Sequence, residues 1–285
     1  MYNLDTRKGE IPGVTHLPFS INNPQTKGIF KVLGIDAVIN LAGKSGIAQS
    51  IADPSPFFKY NVSNTISLLD LMAEAGIKKL IHGSSGSVYE GTVPNLPVEV
   101  GFEESLHLGT PHSTYAYTKF LAESIISRYC NAYDISFVGF RYFNVAGPGQ
   151  KETSNKFVIP QMCKNVIQNE PVTIFGDGTS LRDYAHVDDI ANAHVLAIDY
   201  LDKHPCAEFI NTGSGISTSV NDIVRMLESV SGNPMRIVRQ DSRHTLETTY
   251  LVPNIKKAKT LLGWEPEFTL EDIIRDTYTW EKKKK

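Results

Sequence analysis

The chain has 285 residues, of which 41% are apolar and 21% charged, and its formal net charge is −3 at pH 7. This length suffices for one large domain or two lobes, and the mild negative charge gives no reason to expect a nucleic-acid partner. There is no run of 18 apolar residues, so no membrane helix is expected; three widely spaced cysteines predict free thiols in a reducing cytoplasm and no metal site.

The first half of the chain alternates predicted strands and helices, which is typical of an α/β fold with a parallel sheet. Residues 1–13 are polar, and no strand is predicted there. The elements predicted next are a strand at 14–19, a helix at 24–32, a buried strand at 35–41, a long helix at 54–75 with Phe57, Val62, Leu68, Leu69 and Met72 inward, a strand at 78–84, a helix at 114–133 and a strand at 135–140.

One stretch of this half suggests acid/base chemistry. A helix that begins at Ser113 or Thr114 places Tyr115 and Lys119 on the same face, one turn apart. A free phenol has a pKa of about 10, and a nearby ammonium together with the helix N-terminus is expected to lower it. The pair could therefore move a proton on or off a hydroxyl, although a packed tyrosine beside a solvated lysine has the same spacing.

A second stretch favours the catalytic interpretation. The strand at 78–84 runs into a Ser- and Gly-rich loop that contains Ser85, and ligands of open α/β sheets bind beyond the carboxyl ends of the strands. A hydroxyl there could share one substrate oxygen with Tyr115 and Lys119 on the following helix. An ordinary polar loop is the alternative.

The second half predicts shorter elements, as expected of a substrate-binding lobe. They are a helix at 157–168, a strand at 171–175 closed by a turn at 176–178, an extended segment at 181–187, a helix at 188–201, a strand at 208–211 and helices at 219–230 and 270–280. We predict two domains: residues 1–150 with the catalytic groups, and residues 151–285 as mainly a substrate lobe, some of whose segments return to the sheet.

Eight short motifs, taken together and in order, resemble one family. They are NLAG (40–43), SSGSVY (84–89), YAYTK (115–119), RYFNVAGP (141–148), FGDG (175–178), RDYAHVDD (182–189), NTGSG (211–215) and LGWEP (262–266). The chain resembles the extended short-chain dehydrogenase/reductases, and within them the NAD-dependent epimerase/dehydratase family of nucleotide-sugar enzymes, most of all the UDP-glucose 4-epimerase type.

The resemblance implies roles for particular residues. The catalytic residues would be Ser85, Tyr115 and Lys119. The cofactor NAD would be held by Leu41, Ala42, Gly43, Tyr115, Lys119 and Tyr142. A UDP-sugar would be held by Ser87, Asn144, Arg182, Arg243 and Glu247, with His244 as an alternative to Arg243. A salt bridge to Asp183 or Asp188 is the alternative for Arg182.

The beginning of the sequence departs from the family pattern. Before residue 40 it contains neither G-x-x-G-x-x-G nor G-x-G-x-x-G, the turn that lays a pyrophosphate on a helix N-terminus. Tyr2 stands where the pattern has a ribose-binding acid, and Asp5 is displaced from that position. The expectation is an N-terminally truncated Rossmann-like sheet without the first strand, first helix and second strand, which leaves NAD binding by this chain open.

Three functions remain open from the sequence. The first is NAD-dependent 4-epimerisation of a UDP-sugar of the UDP-glucose/UDP-galactose type. The second is another nucleotide-sugar oxidoreductase or a 4,6-dehydratase, although Ser85 is followed by Gly86 and Ser87 and not by the acids that the dehydratases use. The third is a chain that binds nucleotide sugar without turnover. The family also pairs through two long helices, here 54–75 and 114–133, so a homodimer is expected.

Overall fold

The computed structural model describes residues 1–7, 9, 11–92, 101–150, 157–241 and 249–284. The elements before residue 92 are β1 (Tyr2–Leu4), β2 (Thr15–Leu17), α1 (Pro24–Val32), β3 (Val38–Asn40), α2 (Ile47–Ala52), α3 (Ser55–Phe57), a π-helical stretch (Phe58–Ser63), α4 (Asn64–Ala75), β4 (Lys79–Ser85) and a 3-10 turn (Gly86–Tyr89). The helices at 24–32 and 54–75 therefore lie where the sequence predicts them.

The remaining elements are a helix, the strand that follows it and the elements of the second half of the chain. They are α5 (Thr114–Tyr133), β5 (Ser136–Tyr142), β6 (Asn144–Ala146), α6 (Val158–Gln168), β7 (Val172–Phe175), β8 (Leu181–Arg182), β9 (Tyr184–His186), α7 (Val187–Lys203), β10 (Ala207–Thr212), β11 (Thr218–Ser219), α8 (Val220–Ser231), β12 (Ile237–Gln240), β13 (Tyr250–Leu251), α9 (Lys256–Leu262) and α10 (Leu270–Lys283).

Local chemistry accounts for several helix boundaries. Asn23 begins α1 by accepting a hydrogen bond from the amide of Gln25 at 2.9 Å, and the proline at the first helical position needs no hydrogen-bond partner for its nitrogen. Gly76 ends α4 with a φ of +74°, a left-handed conformation that glycine adopts without steric cost.

The main sheet is parallel, with the strand order β10-β5-β4-β3. Its strands end at Asn40, Ser85, Tyr142 and Thr212, and the register places Ser85 opposite Tyr142. The ends of these strands therefore share the carboxyl edge, where this class of fold binds ligands. Smaller ladders join β1 to β2, β7 to β12, β6 to β9, and β8 to both β11 and β13.

Both faces of the main sheet are covered. Successive side chains of β4 point to opposite faces: Leu80 packs in a cluster with α4 and α5 residues such as Leu69 and Ile126, whereas Ile81 packs with α7 residues such as Ala193. A separate cluster, which includes Ile159, Ile174, Ile223 and Ile273, joins α6, α8 and α10 to β7. This arrangement confirms the α/β fold class, with a Rossmann-like parallel sheet.

The structure corrects two expectations about the beginning of the chain. Residues 2–4 form β1, which pairs in parallel with β2, although the polar composition of residues 1–13 predicted no strand; three residues are too few for an alternation of polar and apolar side chains to be visible. The strand predicted as buried at 35–41 is shorter and partly open: Ile39 is 41% exposed and Leu41 63%. The reason is that β3 pairs only with β4 among the described strands.

The long helix also differs in detail from the prediction. Four of its five expected inward residues are buried, whereas Val62 is only half-buried. Its π-helical stretch turns the polar side chain of Asn61 inward, where it is 2% exposed and donates to Thr118 Oγ1 on α5 at 3.0 Å. The wider turn thus joins this helix to the catalytic helix by a buried polar contact.

Candidate functional site

The hydroxyls of Ser85 and Ser87 lie together where β4 ends. Ser85 keeps an extended backbone, and its Oγ accepts the Ser87 amide at 3.2 Å, which begins the 3-10 turn. The two side-chain oxygens are 2.6 Å apart. A Cβ on Gly86 would lie 3.0 Å from the ring of Phe143, so a residue without a side chain lets this turn pack closely.

Helix α5 begins beside this turn. Ser113 is its N-cap and accepts the amide of Ala116 at 3.2 Å. The amide of Tyr115, which the helix leaves without a backbone partner, donates to Ser50 Oγ at 3.0 Å. The amide of Ser113 donates to Glu90 Oε2 at 3.1 Å. These three bonds fix the first turn of the helix and therefore the position of Tyr115.

The phenol of Tyr115 meets both serines. It forms side-chain hydrogen bonds with Ser85 and Ser87, and its ring stands edge-on to Phe57 with centroids 6.4 Å apart. Desolvation raises the pKa of Tyr115; the two hydrogen bonds oppose this shift, and the charge of Glu90 adds to it. The structure thus brings Ser85, Ser87 and Tyr115 into one hydrogen-bonded group.

Lys119 lies one turn further along α5 and points to the sheet. Its Nζ donates to the carbonyl oxygen of Gly83 at 2.7 Å. Desolvation lowers the pKa of Lys119 to about 8, and the charge of Glu123 opposes that shift. The expectation that the ammonium lowers the pKa of Tyr115 is wrong for this state of the protein, because desolvation of the phenol is the largest influence and raises its pKa.

A buried ion pair holds α5 against the sheet. Arg141 donates to both carboxylate oxygens of Glu123, at 3.0 and 2.7 Å, and Ser84 Oγ donates to the same carboxylate at 2.6 Å. Arg141 also donates to the hydroxyl of Tyr89, which donates in turn to Asn211 Oδ1, each at 2.8 Å. This network joins the catalytic helix to β4, β5 and β10.

The backbone after β3 forms an open strip beside Lys119. Leu41, Ala42 and Gly43 are exposed. A Cβ on Gly43 would lie 2.9 Å from Asn61 Oδ1 and 3.7 Å from Lys119 Nζ. The strip therefore lies within reach of the lysine, and the missing side chain at residue 43 lets the buried Asn61 pack against the strip's backbone.

His82 is a buried histidine on β4. Asn40 Oδ1 accepts the Ala42 amide at 3.2 Å, which turns the Asn40 amide nitrogen toward His82 Nδ1, also at 3.2 Å. The ring proton is then on Nε2, which is buried without a hydrogen-bond partner. Desolvation, with the charge of Lys119 as a smaller cause, lowers the pKa of His82 to about 3, so the ring is neutral.

Tyr142 lies at the carboxyl end of β5, opposite Ser85. Its hydroxyl is 2.7 Å from His194 Nε2 on α7, and burial raises the pKa of the phenol. A Cβ on Gly83 would be 2.9 Å from this ring. The ring is therefore at the expected edge of the sheet, with its hydroxyl bonded to α7.

Asn144 and Arg182 lie on neighbouring short strands. Asn144 is exposed, and its amide nitrogen donates to the Asp183 carbonyl at 2.9 Å. Arg182 is half-buried and donates to the Leu181 carbonyl at 2.9 Å. The Asp183 carboxylate accepts the amide and hydroxyl of Ser214 at 2.9 and 2.7 Å, and burial raises its pKa to about 6. The Asp183 carboxylate thus holds the loop at 213–216 by hydrogen bonds.

The expected residues Arg243 and Glu247, with His244, lie outside the described residues. Sequence reasoning missed Glu90, a carboxylate that is only 9% exposed and bonded to the first turn of α5. The available signal was its position directly after the SSGSVY motif, where a charged residue follows a buried turn.

Neither a metal cluster nor a membrane helix is found in the described part of the chain. Within it, no three His, Cys, Asp or Glu side chains are grouped to hold a metal ion. The described helices include none with the length and apolarity needed to cross a bilayer. Cys130, Cys163 and Cys206 are free thiols.

Comparisons with known proteins agree with this geometry. The profile of the NAD dependent epimerase/dehydratase family matches residues 16–213. The chain is 35% identical to the UDP-glucuronate 4-epimerase of Thermodesulfobacterium geofontis over 90% of this chain and 75% of that protein. It is 32% identical to the UDP-glucose 4-epimerase of Halalkalibacterium halodurans over 89% of this chain and 78% of that protein.

A solved structure is similar over the whole chain. A mutant of the Bacillus cereus UDP-glucuronic acid 4-epimerase, in complex with UDP-4-deoxy-4-fluoro-glucuronic acid and NAD, superposes with a TM-score of 0.88 at 28% identity, covering 100% of this chain and 91% of that one. With its parallel sheet, its Ser85–Ser87–Tyr115 group and its Lys119 one turn away, the chain belongs to the NAD-dependent epimerase/dehydratase family of enzymes.

Proposed function

We propose that this chain is an NAD-dependent 4-epimerase of a UDP-linked sugar. The observation that carries the proposal is the hydrogen-bonded group of Ser85, Ser87 and Tyr115, with Lys119 one turn away at the carboxyl edge of the sheet. Such a group can hold one hydroxyl oxygen and move its proton. Relatives and neighbours whose names state UDP-sugar 4-epimerisation support the choice of reaction.

The described residues fit the nicotinamide end of NAD. The open strip at 41–43 lies beside Lys119, and Gly43 places no side chain between the strip and the ammonium. The residues that would hold the cofactor are Leu41, Ala42, Gly43, Tyr115, Lys119 and Tyr142. When bound there, NAD supplies the acceptor and donor of hydride that inversion of a carbinol carbon requires.

The protein groups would act on the 4-hydroxyl of the sugar. Ser85 donates a hydrogen bond to the oxygen and orients it, and Tyr115 removes the hydroxyl proton and later returns it. The raised pKa of Tyr115 makes its phenolate a stronger base. Lys119 keeps a positive charge at the strip and the carboxyl edge. Ser87, Asn144 and Arg182, together with Arg243 and Glu247, would hold the UDP-sugar; a guanidinium suits a diphosphate because it donates in a fork.

The proposal also covers the division into domains, the oligomeric state and the cellular location. Residues 1–150 carry the catalytic groups, and residues 151–285 mainly form the substrate lobe. The protein forms a homodimer through the helices at 54–75 and 114–133, a geometry supported by the exposed side chains of Phe58, Tyr60 and Tyr133 on those helices. Its location is cytoplasmic, which its free thiols support.

The first experiment measures NAD in the purified chain, by the spectrum of co-purified cofactor and by calorimetry, and then follows UDP-glucose and UDP-galactose by chromatography. Interconversion of the two sugars with bound NAD is the expected result. A 4-keto-6-deoxy product would identify a dehydratase. Binding of UDP-sugar without NAD or turnover would identify a nucleotide-sugar binder that does no redox chemistry.

A further inference from the structure

We infer that Glu90 makes this site select a nucleotide sugar with an uncharged ring over one that carries a carboxylate on C6. The inference rests on the proposed function and adds the class of sugar. It concerns a residue that sits beside the reacting groups.

The position of Glu90 is set by the two elements that carry the site. Its backbone amide donates to the Ser87 carbonyl at 2.9 Å, as the last bond of the 3-10 turn. Its Oε2 accepts the Ser113 amide at 3.1 Å, at the N-terminus of α5. The carboxylate therefore lies between the turn of Ser87 and the first turn of α5, which carries Tyr115, and the residue is only 9% exposed.

Glu90 is a carboxylate bonded to the N-terminus of α5. The positive end of the α5 dipole and a direct bond from a backbone amide stabilise a carboxylate. Within the described part of the chain, Glu90 forms no ion pair that would neutralise it. Its charge acts on the phenol of Tyr115. Lys119 lies on the same helix as Tyr115, but its ammonium donates to the Gly83 carbonyl. The acidic residue Glu123 follows it one turn later.

The chemistry of the sugar brings C6 into this space. If the 4-hydroxyl contacts Tyr115, the C6 group lies two bonds from C4 and must occupy the same desolvated region. A hydroxymethyl group there is neutral. A C6 carboxylate adds a second negative charge near Glu90, and repulsion between like charges is strong where water is excluded.

Overall similarity leaves this choice open. A uronate 4-epimerase is 35% identical to the chain and a glucose 4-epimerase 32%, a difference too small to assign the sugar. The two substrates differ only in the substituent on C6. The buried charge of Glu90, beside Tyr115, would act directly on that substituent.

The experiment compares the dissociation constants of UDP-glucose and UDP-glucuronic acid by calorimetry, with NAD added. These ligands differ only at C6, so the ratio of their constants isolates the effect of the carboxylate. We expect the wild-type protein to bind UDP-glucuronic acid at least about tenfold more weakly, and Glu90→Gln to reduce that ratio to about threefold or less. Glutamine keeps an oxygen that can accept the Ser113 amide.

Two further variants separate charge from shape. Glu90→Asp retains the charge and should keep most of the wild-type ratio. Glu74 lies in the last turn of α4, which leads into the start of β4 and not its carboxyl end. Glu74→Gln removes one negative charge from an exposed pair with Lys27, and this variant should keep the wild-type ratio. Thermal melting of each variant checks that it is folded. The pH dependence of turnover adds a second readout, because removal of the Glu90 charge should move its rising limb to lower pH.

Two results would overturn the inference. A wild-type ratio near one, or a ratio unchanged in Glu90→Gln, with both ligands bound, would overturn it and leave the proposed function intact. Absence of binding for both ligands and for UDP alone would overturn the proposed function, and the inference with it.

Discussion

The hydroxyl of Tyr115 is the atom on which the proposed chemistry depends. It forms hydrogen bonds with the side chains of Ser85 and Ser87. Tyr115→Phe should lower kcat by about 100- to 10,000-fold, the usual contribution of a positioned acid/base group, while the dissociation constant of UDP changes little. Steady-state rates and calorimetry measure the two effects. Turnover at wild-type rates in Tyr115→Phe would show that another group moves the proton.

A second residue-scale consequence concerns His82 and acid stability. Burial lowers the pKa of His82 to about 3 from an ordinary value of 6.5, so the unfolded chain binds a proton below pH 6.5 that the native state does not accept. Stability contributed by the neutral ring is complete above pH 6.5 and is lost as the pH falls toward 3. At pH 5 the loss amounts to about 2 kcal/mol.

The variant His82→Phe removes this titration. We expect the free energy of unfolding, measured in urea at pH 7.5, 6 and 5, to fall less steeply in the variant than in the wild type. His107→Phe, at an exposed position, is the control and should follow the wild-type slope. Parallel slopes for wild type and His82→Phe would mean that the native state does not lower the pKa of His82.

The sequence alone was sufficient to predict that Ser85, Tyr115 and Lys119 lie near one another, because a strand end and an i,i+4 pair fix their geometry locally. It was not sufficient for the pKa of Tyr115. The spacing correctly put the ammonium of Lys119 one turn away, but the balance between desolvation and charge depends on neighbours distant in sequence. Glu90 is one such neighbour, and its charge raises the pKa of Tyr115 further.

At the scale of elements, a buried charge pair helps to hold α5 against the sheet. Glu123 and Arg141 are each about 5% exposed by side chain, and removal of one partner leaves the other charged and buried. Glu123→Gln should therefore lower the free energy of unfolding by about 3–5 kcal/mol. Urea unfolding at pH 7 measures this change.

The control for this prediction is an exposed pair on α10. Glu271→Gln removes the same charge from a pair with Arg275, and the unfolding midpoint should hardly move because solvent screens such pairs. Equal effects of Glu123→Gln and Glu271→Gln would mean that the buried pair contributes no more than a surface pair.

Helix lengths were more predictable than strands. The bounds of α1 and α5 follow from Pro24, from Ser113 and from the amphipathic run between their caps. Short strands such as β1, β6 and β12 were missed, because three or four residues show no period and their pairing partners are remote in sequence. The π-helical stretch was missed for a similar reason: the buried contact made by its residue Asn61 is with Thr118 on α5, 57 residues away in the sequence.

At the scale of the whole molecule, the proposed dimer predicts a mass near twice 31.6 kDa by light scattering. Phe58 is 38% exposed on one of the two proposed interface helices, so Phe58→Lys should shift the mass toward the monomer by burying a charge between subunits. Val32→Lys, at an 82% exposed position on α1, should not. A wild-type mass of 31.6 kDa would contradict the dimer.

The strand order also sets how the main sheet opens. In the described structure β4 has a neighbour on each side, whereas β3 has only β4, so every second amide of β3 lacks a ladder partner. Deuterium should therefore replace the amide protons of residues 38–40 long before those of residues 80–84, because local opening begins where fewest bonds must break. Strand β3, next to the open strip of the site, would then be the first part of the main sheet to open locally. Bound cofactor should slow amide exchange in β3 more than in any other strand.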